Sequence, residues 1–238
     1  MKKMFEPFKK RRYSEQIASL IQKKIIKEDI LVGSKLPTER QLAEDLNVSR
    51  AVVREALRIL DSLGHVQIKK GPKGGIYVSN VYHKPISVSL KTLADNGQIT
   101  IDDIWDVRLN FEPYIIMKAA KNAKKEDIIK LTSLFKDAEM HFDDPVYLKN
   151  KNIEFHVILA NMSGNPILSI FTKALLEILA EVAFNFLDLT FEQNLFNIHK
   201  ELADAISKRK IKEAKRLFYK DIDFLKNHLQ KSLLTKEK

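Results

Sequence analysis

Two helix start signals stand close together near the amino end of the chain, and they restrict this region to short elements. In the segment PTERQ, Thr38 can act as a cap and Gln41 follows three residues later, which is the spacing of a capping box. Ser49 supplies a second cap after only a few more residues. The pattern predicts a short helix, a tight turn and a second helix that ends at Gly64.

The flanking sequence predicts one more helix before this pair and a hairpin after it. Apolar residues recur at helical spacing from Ser14 to Lys27. Segments 65–69 and 75–79 have the character of short strands, with a Gly- and Pro-rich tip between them. Three helices followed by a small β-hairpin are therefore expected.

Positive charge is concentrated in the same region. Residues 1–80 hold 17 Lys and Arg against 9 Asp and Glu, a net of +8 out of +10 for the whole chain. Such an excess suits a polyanion such as nucleic acid, although a solvated basic surface is the plain alternative. An anionic lipid surface fits less well, because the basic region also has the pattern of packed helices.

Composition excludes several classes of function. The chain has no cysteine, which excludes disulfides, thiolate zinc sites and thiol catalysis. No apolar run approaches the roughly 18 residues that a membrane span needs, and the opening segment MKKMFEPFKKRRY lacks the apolar core of a secretory signal. We therefore predict a cytoplasmic protein that does not contact a membrane.

An arginine stripe follows one face of the second helix of the pair. Arg50, Arg54 and Arg58 are four residues apart and share a face, while the opposite face is apolar. A short helix of this kind suits the major groove of DNA, where guanidinium groups bond to guanine O6 and N7 or hold phosphate. The Ser49 end of the helix also offers backbone N–H groups to a phosphate.

The segments LPTERQLA and VSRAVVREAL, which begin at Leu36 and Val48, closely resemble the winged helix-turn-helix domain of GntR-family transcription regulators. The resemblance spans about residues 11–80. It implies that arginines of both helices contact DNA and that the hairpin is the wing, whose lysines add phosphate or minor-groove contacts. Ala51 stands where the family often has a threonine that helps to contact DNA. The expected DNA-binding residues are Arg40, Ser49, Arg50, Ala51, Arg54, Lys69, Lys70, Gly71 and Lys73.

The remainder of the chain has a helical pattern without strand signals. Broad apolar stripes and short loops favour an antiparallel bundle. The expected helices are 101–122, 126–141, 146–162, 166–187, 191–208 and 210–232. The predicted fold is thus mainly α, with a winged helix-turn-helix domain over 1–80, a linker and connecting helix over 81–100, and an all-α effector-binding and dimerisation domain over 101–232.

Polar residues interrupt the apolar stripes of four of these helices. His156, His199, Asp221 and Arg108 each have apolar neighbours on the same helix face, and those of Arg108 include Phe111. Burying an unpaired charge costs several kcal/mol, so these groups need partners. Four such positions on four helices suggest one shared cavity.

Two imidazoles and a carboxylate suit a divalent metal such as zinc, nickel or manganese, with Asn152 or water completing the shell. Arg108 could then hold the carboxylate of a small organic acid. In the alternative interpretation each histidine is a satisfied core residue, and Arg108 forms an internal i,i+4 ion pair with Glu112.

The segment NIEFH at 152–156, followed by GNP at 164–166, is similar to the D-x-x-F-H…G-N-P signature of the FadR branch of the family, whose effector domain is an all-helical bundle of the FCD type. Arg108 and Glu112 match the R-x-x-x-E of the same branch and imply effector contacts. The resemblance implies metal ligands at four positions, which are Asn152, His156, His199 and Asp221.

Two of these four positions depart from the family pattern. Metal-binding members have an Asp where this chain has Asn152 and a His where it has Asp221. Asn152 would be a neutral oxygen donor, and Asp221 would shift the preference towards ions that favour oxygen ligands. His228, two turns after Asp221, is an alternative ligand.

These observations predict a sequence-specific bacterial transcription regulator that binds operator DNA as a homodimer. We expect it to act as a repressor. Two recognition helices about one DNA turn apart would match a palindromic site. A small carboxylate-type metabolite, with or without a metal, would control the affinity. Two other classes are a metal-dependent enzyme fused to a DNA-targeting domain and a non-specific architectural DNA binder, although the sequence offers no general base or nucleophile beyond the candidate ligands.

Overall fold

A computed structural model of the chain describes residues 12–72, 74–184 and 187–236. Within these ranges it has ten helices and one two-stranded sheet. The chain divides into two compact units, Met1–Pro85 and Ile86–Lys238. The predicted fold class, a winged helix-turn-helix followed by a helical bundle, is confirmed.

The first unit begins with three helices: α1 (Arg12–Lys27), α2 (Glu39–Asp45) and α3 (Arg50–Ser62). The side chain of Thr38 accepts from the backbone N–H of Gln41, and the Gln41 side chain accepts from the backbone N–H of Thr38. The Ser49 hydroxyl accepts from the backbone N–H of Val52. Both predicted caps are therefore present, and they start two helices within a few residues of each other.

The wing is an antiparallel hairpin of β1 (Val66–Lys69) and β2 (Gly75–Val78), in register with Val66 opposite Val78. Gly64 connects α3 to the hairpin with a φ of +76°, and a Cβ at this position would lie 2.1 Å from the carbonyl oxygen of Val81. Only glycine satisfies both the left-handed backbone and this close approach. Gly64 therefore fixes the turn between α3 and the hairpin.

The core of the first unit lies between α1, α3 and the hairpin. Helix α3 packs on α1, and its apolar face is buried. The buried residues of this core are Ala18, Ile21, Leu36, Ala43, Val53, Ala56, Leu57, Leu60, Val66, Ile76 and Val78. Because this face is occupied by the core, the face of α3 that carries the arginines remains at the surface.

The remaining helices are α4 (Lys84–Asp95), α5 (Ile101–Asn122), α6 (Lys125–Glu139), α7 (Pro145–Met162), α8 (Pro166–Phe184), α9 (Leu189–Ser207) and α10 (Ile211–Lys236). Helix α4 lies in the segment expected to hold the linker and connecting helix. The six later helices lie close to their predicted positions. Part of the predicted C-terminal end of α8, residues 185–186, lies outside the described residues.

Helix α7 is the centre of the second unit, since it contacts α5, α6, α8 and α9. Helix α10 packs on both α5 and α9. The polar residues on the inner faces of α5, α7, α9 and α10 therefore meet in the middle of the bundle. No helix in the described ranges combines the length and the apolar character that crossing a membrane requires.

Candidate functional site

The first candidate site is the exposed face of α2 and α3. Arg40, Arg50, Ala51 and Arg54 are all exposed, and so is the cap residue Ser49. Their common exposure follows from the burial of the opposite face of α3. The two helices therefore present exposed arginines, together with the backbone N–H groups at the start of α3.

Acidic side chains hold three of the arginines. Arg40 Nε lies 3.1 Å from Glu44 Oε1, and Arg58 Nη1 lies 3.6 Å from Glu55 Oε2; both pairs lie within one helix. Arg54 differs because its Nε donates to Glu39 Oε2 at 3.2 Å, and Glu39 belongs to the other helix.

The wing carries exposed lysines beside this surface. Lys69 and Lys70 are exposed, and the Lys69 ammonium lies 5.0 Å from the centre of the Tyr77 ring. Gly71 has a φ of +94° and open space where a Cβ would be. The predicted contact Lys73 lies outside the described residues.

The second candidate site is a cavity inside the bundle. Arg108, His156, His199 and Asp221 come from four helices, and each is at most 6% exposed. The cavity lies between α5, α7, α8, α9 and α10. Its lining residues are Arg108, Lys149, Asn152, Ile153, His156, Leu176, Leu179, Ala180, Phe191, Glu192, Leu195, His199, Asp221, Leu225, His228 and Leu229.

Arg108 and Glu112 form a buried ion pair on α5. Arg108 Nε donates to Glu112 Oε1 at 2.5 Å, and Nη2 donates to Oε2 at 3.4 Å. Burial opposes ionisation of Glu112, but Arg108 and His156 outweigh it and lower the pKa of Glu112 to about 2. The predicted i,i+4 ion pair is therefore present, and the guanidinium already has a carboxylate partner.

His156 lies between two carboxylates. Its Nδ1 is 3.0 Å from Glu112 Oε2, and its Nε2 is 3.5 Å from Asp221 Oδ2. Because Glu112 is ionised and can only accept, the proton of a neutral His156 belongs on Nδ1. The Nε2 lone pair then faces Asp221.

Asn152 sets the orientation of His199. The Asn152 amide nitrogen donates to the backbone carbonyl of Glu192 at 3.2 Å and to its Oε2 at 2.7 Å. Asn152 Oδ1, which can only accept, therefore faces His199 Nδ1 at 3.1 Å. The proton of a neutral His199 lies on Nδ1, and its bare Nε2 faces Asp221 Oδ1 at 3.0 Å.

Asp221 is the point on which both rings converge. Burial opposes its ionisation, but His199, His156 and Arg108 outweigh this effect and lower the pKa of Asp221. Burial lowers the pKa of His199, which favours its neutral form. Among the described residues, Asp221 Oδ2 is the buried side-chain atom that has no hydrogen-bond partner. When both rings are neutral, three electron-rich groups face one another, and a cation among them, either a proton carried by a ring or a metal ion, would satisfy them.

The donor set fits a divalent metal. One ligand atom from each of His156, His199 and Asp221 lies within 4.8 Å of the other two. Two imidazole nitrogens and a carboxylate oxygen are a common set for zinc and related ions. Asn152 instead contacts the far side of the His199 ring, in the position of a group that orients a ligand.

His228 occupies a different part of the cavity. Its ring stacks on Phe191 with 3.8 Å between the ring centres, and Phe191 also stacks on Phe224. The cluster of possible ligands among the described residues does not include His228. This geometry does not support His228 as an alternative ligand.

Sequence reasoning missed two buried charged residues of this cavity, Lys149 and Glu192. They are 5% and 2% exposed. Burial lowers the pKa of Lys149 and raises that of Glu192. Their positions contain a usable signal, because Lys149 precedes Asn152 by three residues and Glu192 precedes His199 by seven, both of which are helical spacings.

Two family models match the chain. Residues 13–78 match "Bacterial regulatory proteins, gntR family", and residues 103–230 match "FCD domain". A relative from Bacillus subtilis, the uncharacterized HTH-type transcriptional regulator YcbG, is 30% identical over 84% of this chain and 83% of its own length. The HTH-type transcriptional repressor NanR of Cronobacter sakazakii is 30% identical over 88% of this chain and 82% of its own length.

Solved structures show the same architecture. A GntR protein of Streptococcus agalactiae superposes with a TM-score of 0.62 at 27% identity, and the match covers 90% of this chain and 99% of that one. E. coli McbR/YncC shares the fold, with a TM-score of 0.52 at 17% identity, over 93% of this chain and 98% of that one. The YcbG and NanR relatives are named as transcriptional regulators rather than enzymes, as the sequence predicted. The chain therefore belongs to the GntR family of bacterial regulatory proteins and carries an FCD domain as its second domain.

Proposed function

We propose that this protein is a sequence-specific repressor of the FadR branch, which acts in the cytoplasm and binds a palindromic operator as a homodimer. The observation that carries the proposal is the exposed arginine face of the capped helix α3, next to a basic wing. Repression is favoured because the NanR relatives are named as repressors.

The proposed contacts divide into two groups. Arg50 and Arg54 read base edges in the major groove, where a bidentate arginine–guanine pair discriminates between bases. The other residues hold the DNA backbone or the minor groove and set the position of α3. These positioning contacts come from Arg40, the Ser49 end of α3, Ala51, Lys69, Lys70, Gly71 and Lys73.

In the second domain, we propose that His156, His199 and Asp221 hold a divalent ion such as zinc, nickel or manganese. Their convergence and the unsatisfied Asp221 oxygen support this assignment. Asn152 acts one layer further out, where it holds the His199 proton on Nδ1. When bound, the ion supplies positive charge and a Lewis-acid site to an anionic effector.

The charges of the cavity support a carboxylate-type effector that binds together with the metal. Arg108 is engaged by Glu112, and Lys149 lies in the field of Glu192. The protein cations are therefore balanced by protein carboxylates, and Asp221 adds a further negative charge. A bound divalent ion would change the net charge of the cavity from negative to positive, and a small carboxylate could then bind favourably. The carboxylate would lie next to the Arg108–Glu112 pair.

A homodimer is supported by an apolar surface shared by α5 and α8. Sequence periodicity placed Phe111 on the buried face with Arg108, but this prediction is wrong, because Phe111 is 51% exposed. It belongs to a contiguous set of exposed apolar residues, which are Val107, Phe111, Ile167 and Phe171. We assign this surface to a second copy of the chain, because a palindromic operator requires two recognition helices.

The experiment that tests this function is selection of binding sites from random duplex DNA by the purified full-length protein. The proposal expects a recovered motif with twofold symmetry and half-sites about one helical turn, 10–10.5 base pairs, apart. Recovery of DNA with no shared motif would support an architectural DNA binder instead.

Effector control has its own measurement on the recovered site. Binding of the motif is titrated with metal-free protein, with zinc-loaded protein, and with zinc plus a panel of small carboxylates. We expect a member of the panel to change the affinity only when zinc is present, through a shift between arrangements of the two DNA-binding units. Carboxylate effects of equal size without metal would exclude the joint site.

A further inference from the structure

We propose that Glu39 is a positioning residue that holds Arg54 ready to read a guanine in each half-site. This inference rests on the proposed DNA-binding function. It assigns a role in specificity to one acidic residue of the face that carries the arginines.

The geometry joins the two helices of the motif at their exposed face. Glu39 is the first residue of α2, and its Oε2 accepts from Arg54 Nε on α3 at 3.2 Å. The side chains are 30% and 49% exposed, so the pair lies at the surface rather than in the core. The ion pairs of Arg40 and Arg58 instead lie within a single helix.

The contact engages one part of the guanidinium and leaves the rest for DNA. Glu39 takes the Nε hydrogen, and Nη1 and Nη2 at the tip of Arg54 remain for a second partner. These two nitrogens can donate together to O6 and N7 of guanine. An arginine that is already held by one bond loses less conformational freedom when it forms the next two.

The negative charge of Glu39 also affects how tightly the surface binds DNA of any sequence. A carboxylate near the DNA surface repels phosphate and lowers affinity for every sequence. Glu39 therefore reduces non-specific binding while it favours the one base pair that a fixed Arg54 can contact. Both effects increase the ratio of specific to non-specific affinity.

The test compares Glu39→Ala with Glu39→Gln, because both remove the charge but only glutamine keeps an oxygen that accepts from Arg54 Nε. Affinity is measured at one fixed salt concentration for the selected site, for sites with a single base change at each position, and for random DNA. Asp45→Asn removes one carboxylate from the exposed opposite end of α2 and is the matched control for charge.

We expect Glu39→Ala to lose about tenfold in discrimination at one guanine per half-site, the position at which Arg54→Ala also loses discrimination. Glu39→Gln should retain most of that discrimination. All three charge-removing variants, including Asp45→Asn, should bind random DNA more tightly than the wild-type protein.

A double variant distinguishes a failure of the positioning role of Glu39 from a failure of the proposed DNA-reading role of Arg54. In the Arg54→Ala background, Glu39→Ala should have no further effect on discrimination. If Arg54→Ala leaves base preference intact, the proposed role of Arg54 itself is wrong. If Arg54→Ala relaxes the preference but Glu39→Ala does not, or if Glu39→Gln loses as much as Glu39→Ala while both variants keep the wild-type melting temperature, the positioning role is wrong.

Discussion

Nε2 of His199 lies 3.0 Å from Oδ1 of Asp221 in the interior of the bundle, where both side chains are at most 1% exposed. The partner of His199 Nδ1 is an oxygen that can only accept, so a neutral imidazole presents a lone pair to the carboxylate. Two electron-rich groups at this separation need a positive charge between them, which either a proton on Nε2 or a metal ion supplies. The packing of α9 against α10 places the two groups together, and we propose that a metal ion supplies this positive charge.

Replacing Asp221 by Asn is expected to abolish the stabilisation of the fold by metal, because it removes the anionic ligand on which His156 and His199 converge. Thermal unfolding of the variant and of the wild type, each with a chelator and with excess zinc, measures the metal-dependent shift in melting temperature. Equal zinc-dependent shifts in the two proteins would contradict the assignment of Asp221 as a ligand.

His156→Ala and His199→Ala are each expected to lose the bound divalent metal of the purified protein, because each removes one of three converging ligands. Elemental analysis of the purified variants measures the metal content per chain. His228→Phe is the matched control, since it keeps a ring on Phe191 and removes only a histidine outside the cluster. The same low, substoichiometric metal content in the wild type and in all variants would show that these residues do not bind a metal.

The buried Glu112 makes part of the stability dependent on pH. Its pKa is lowered from an ordinary 4.5 to about 2, so its ionised form stabilises the fold above pH 4.5, and this contribution is lost as the pH falls towards 2. The lowered pKa corresponds to about 3 kcal/mol. Urea unfolding should show that the advantage of wild type over Glu112→Gln shrinks by about 2 kcal/mol between about pH 6 and pH 3. A constant difference over this range would show that the carboxylate does not titrate as described.

Removal of wing lysines should weaken binding to all sequences alike. Lys69→Ala and Lys70→Ala are each expected to lower the slope of log affinity against log salt concentration by about one for each phosphate that the variant no longer binds. Fluorescence anisotropy titrations at several salt concentrations measure the slope. Lys130→Ala, an exposed lysine on α6 of the second domain, is the control for net charge. A change in base preference without a change in slope would mean that the wing reads bases.

A lysine in the middle of the apolar α5–α8 surface should separate the dimer. Phe111→Lys and Phe171→Lys each place a charge on a surface that we assign to a second copy, and burying it unpaired is unfavourable. Light scattering after size-exclusion chromatography should report the monomer mass. Met140→Lys changes a 72% exposed apolar residue at the end of α6 and should remain dimeric. Unchanged mass for all three proteins would place the interface elsewhere.

Much of the fold could be predicted from the sequence because its signals are local. Thr38 and Ser49 are caps whose partners lie three residues away, so the positions of α2 and α3 follow from short segments. Phe111 shows what helical periodicity does not predict. Helical periodicity identifies an apolar face, but it does not distinguish a face covered by the same chain from a face left exposed.

The candidate site was predictable in its residues but not in their roles. Their positions within apolar stripes predicted one shared cavity for His156, His199 and Asp221, and the three side chains do lie close together. The role of Asn152 depends on which way its amide is turned, and this is set by Glu192, forty residues further along the chain. Lys149 and Glu192 were missed because long charged side chains are usually exposed, and their burial depends on packing between helices.

Competition between two DNA fragments measures whether α3 distinguishes base sequences. One fragment carries the selected palindrome and the other carries the same bases in scrambled order, and both affinities are measured at the same salt concentration. We expect the palindrome to bind about 10³-fold or more tightly than the scrambled fragment. Equal affinities at both low and moderate salt would contradict the account.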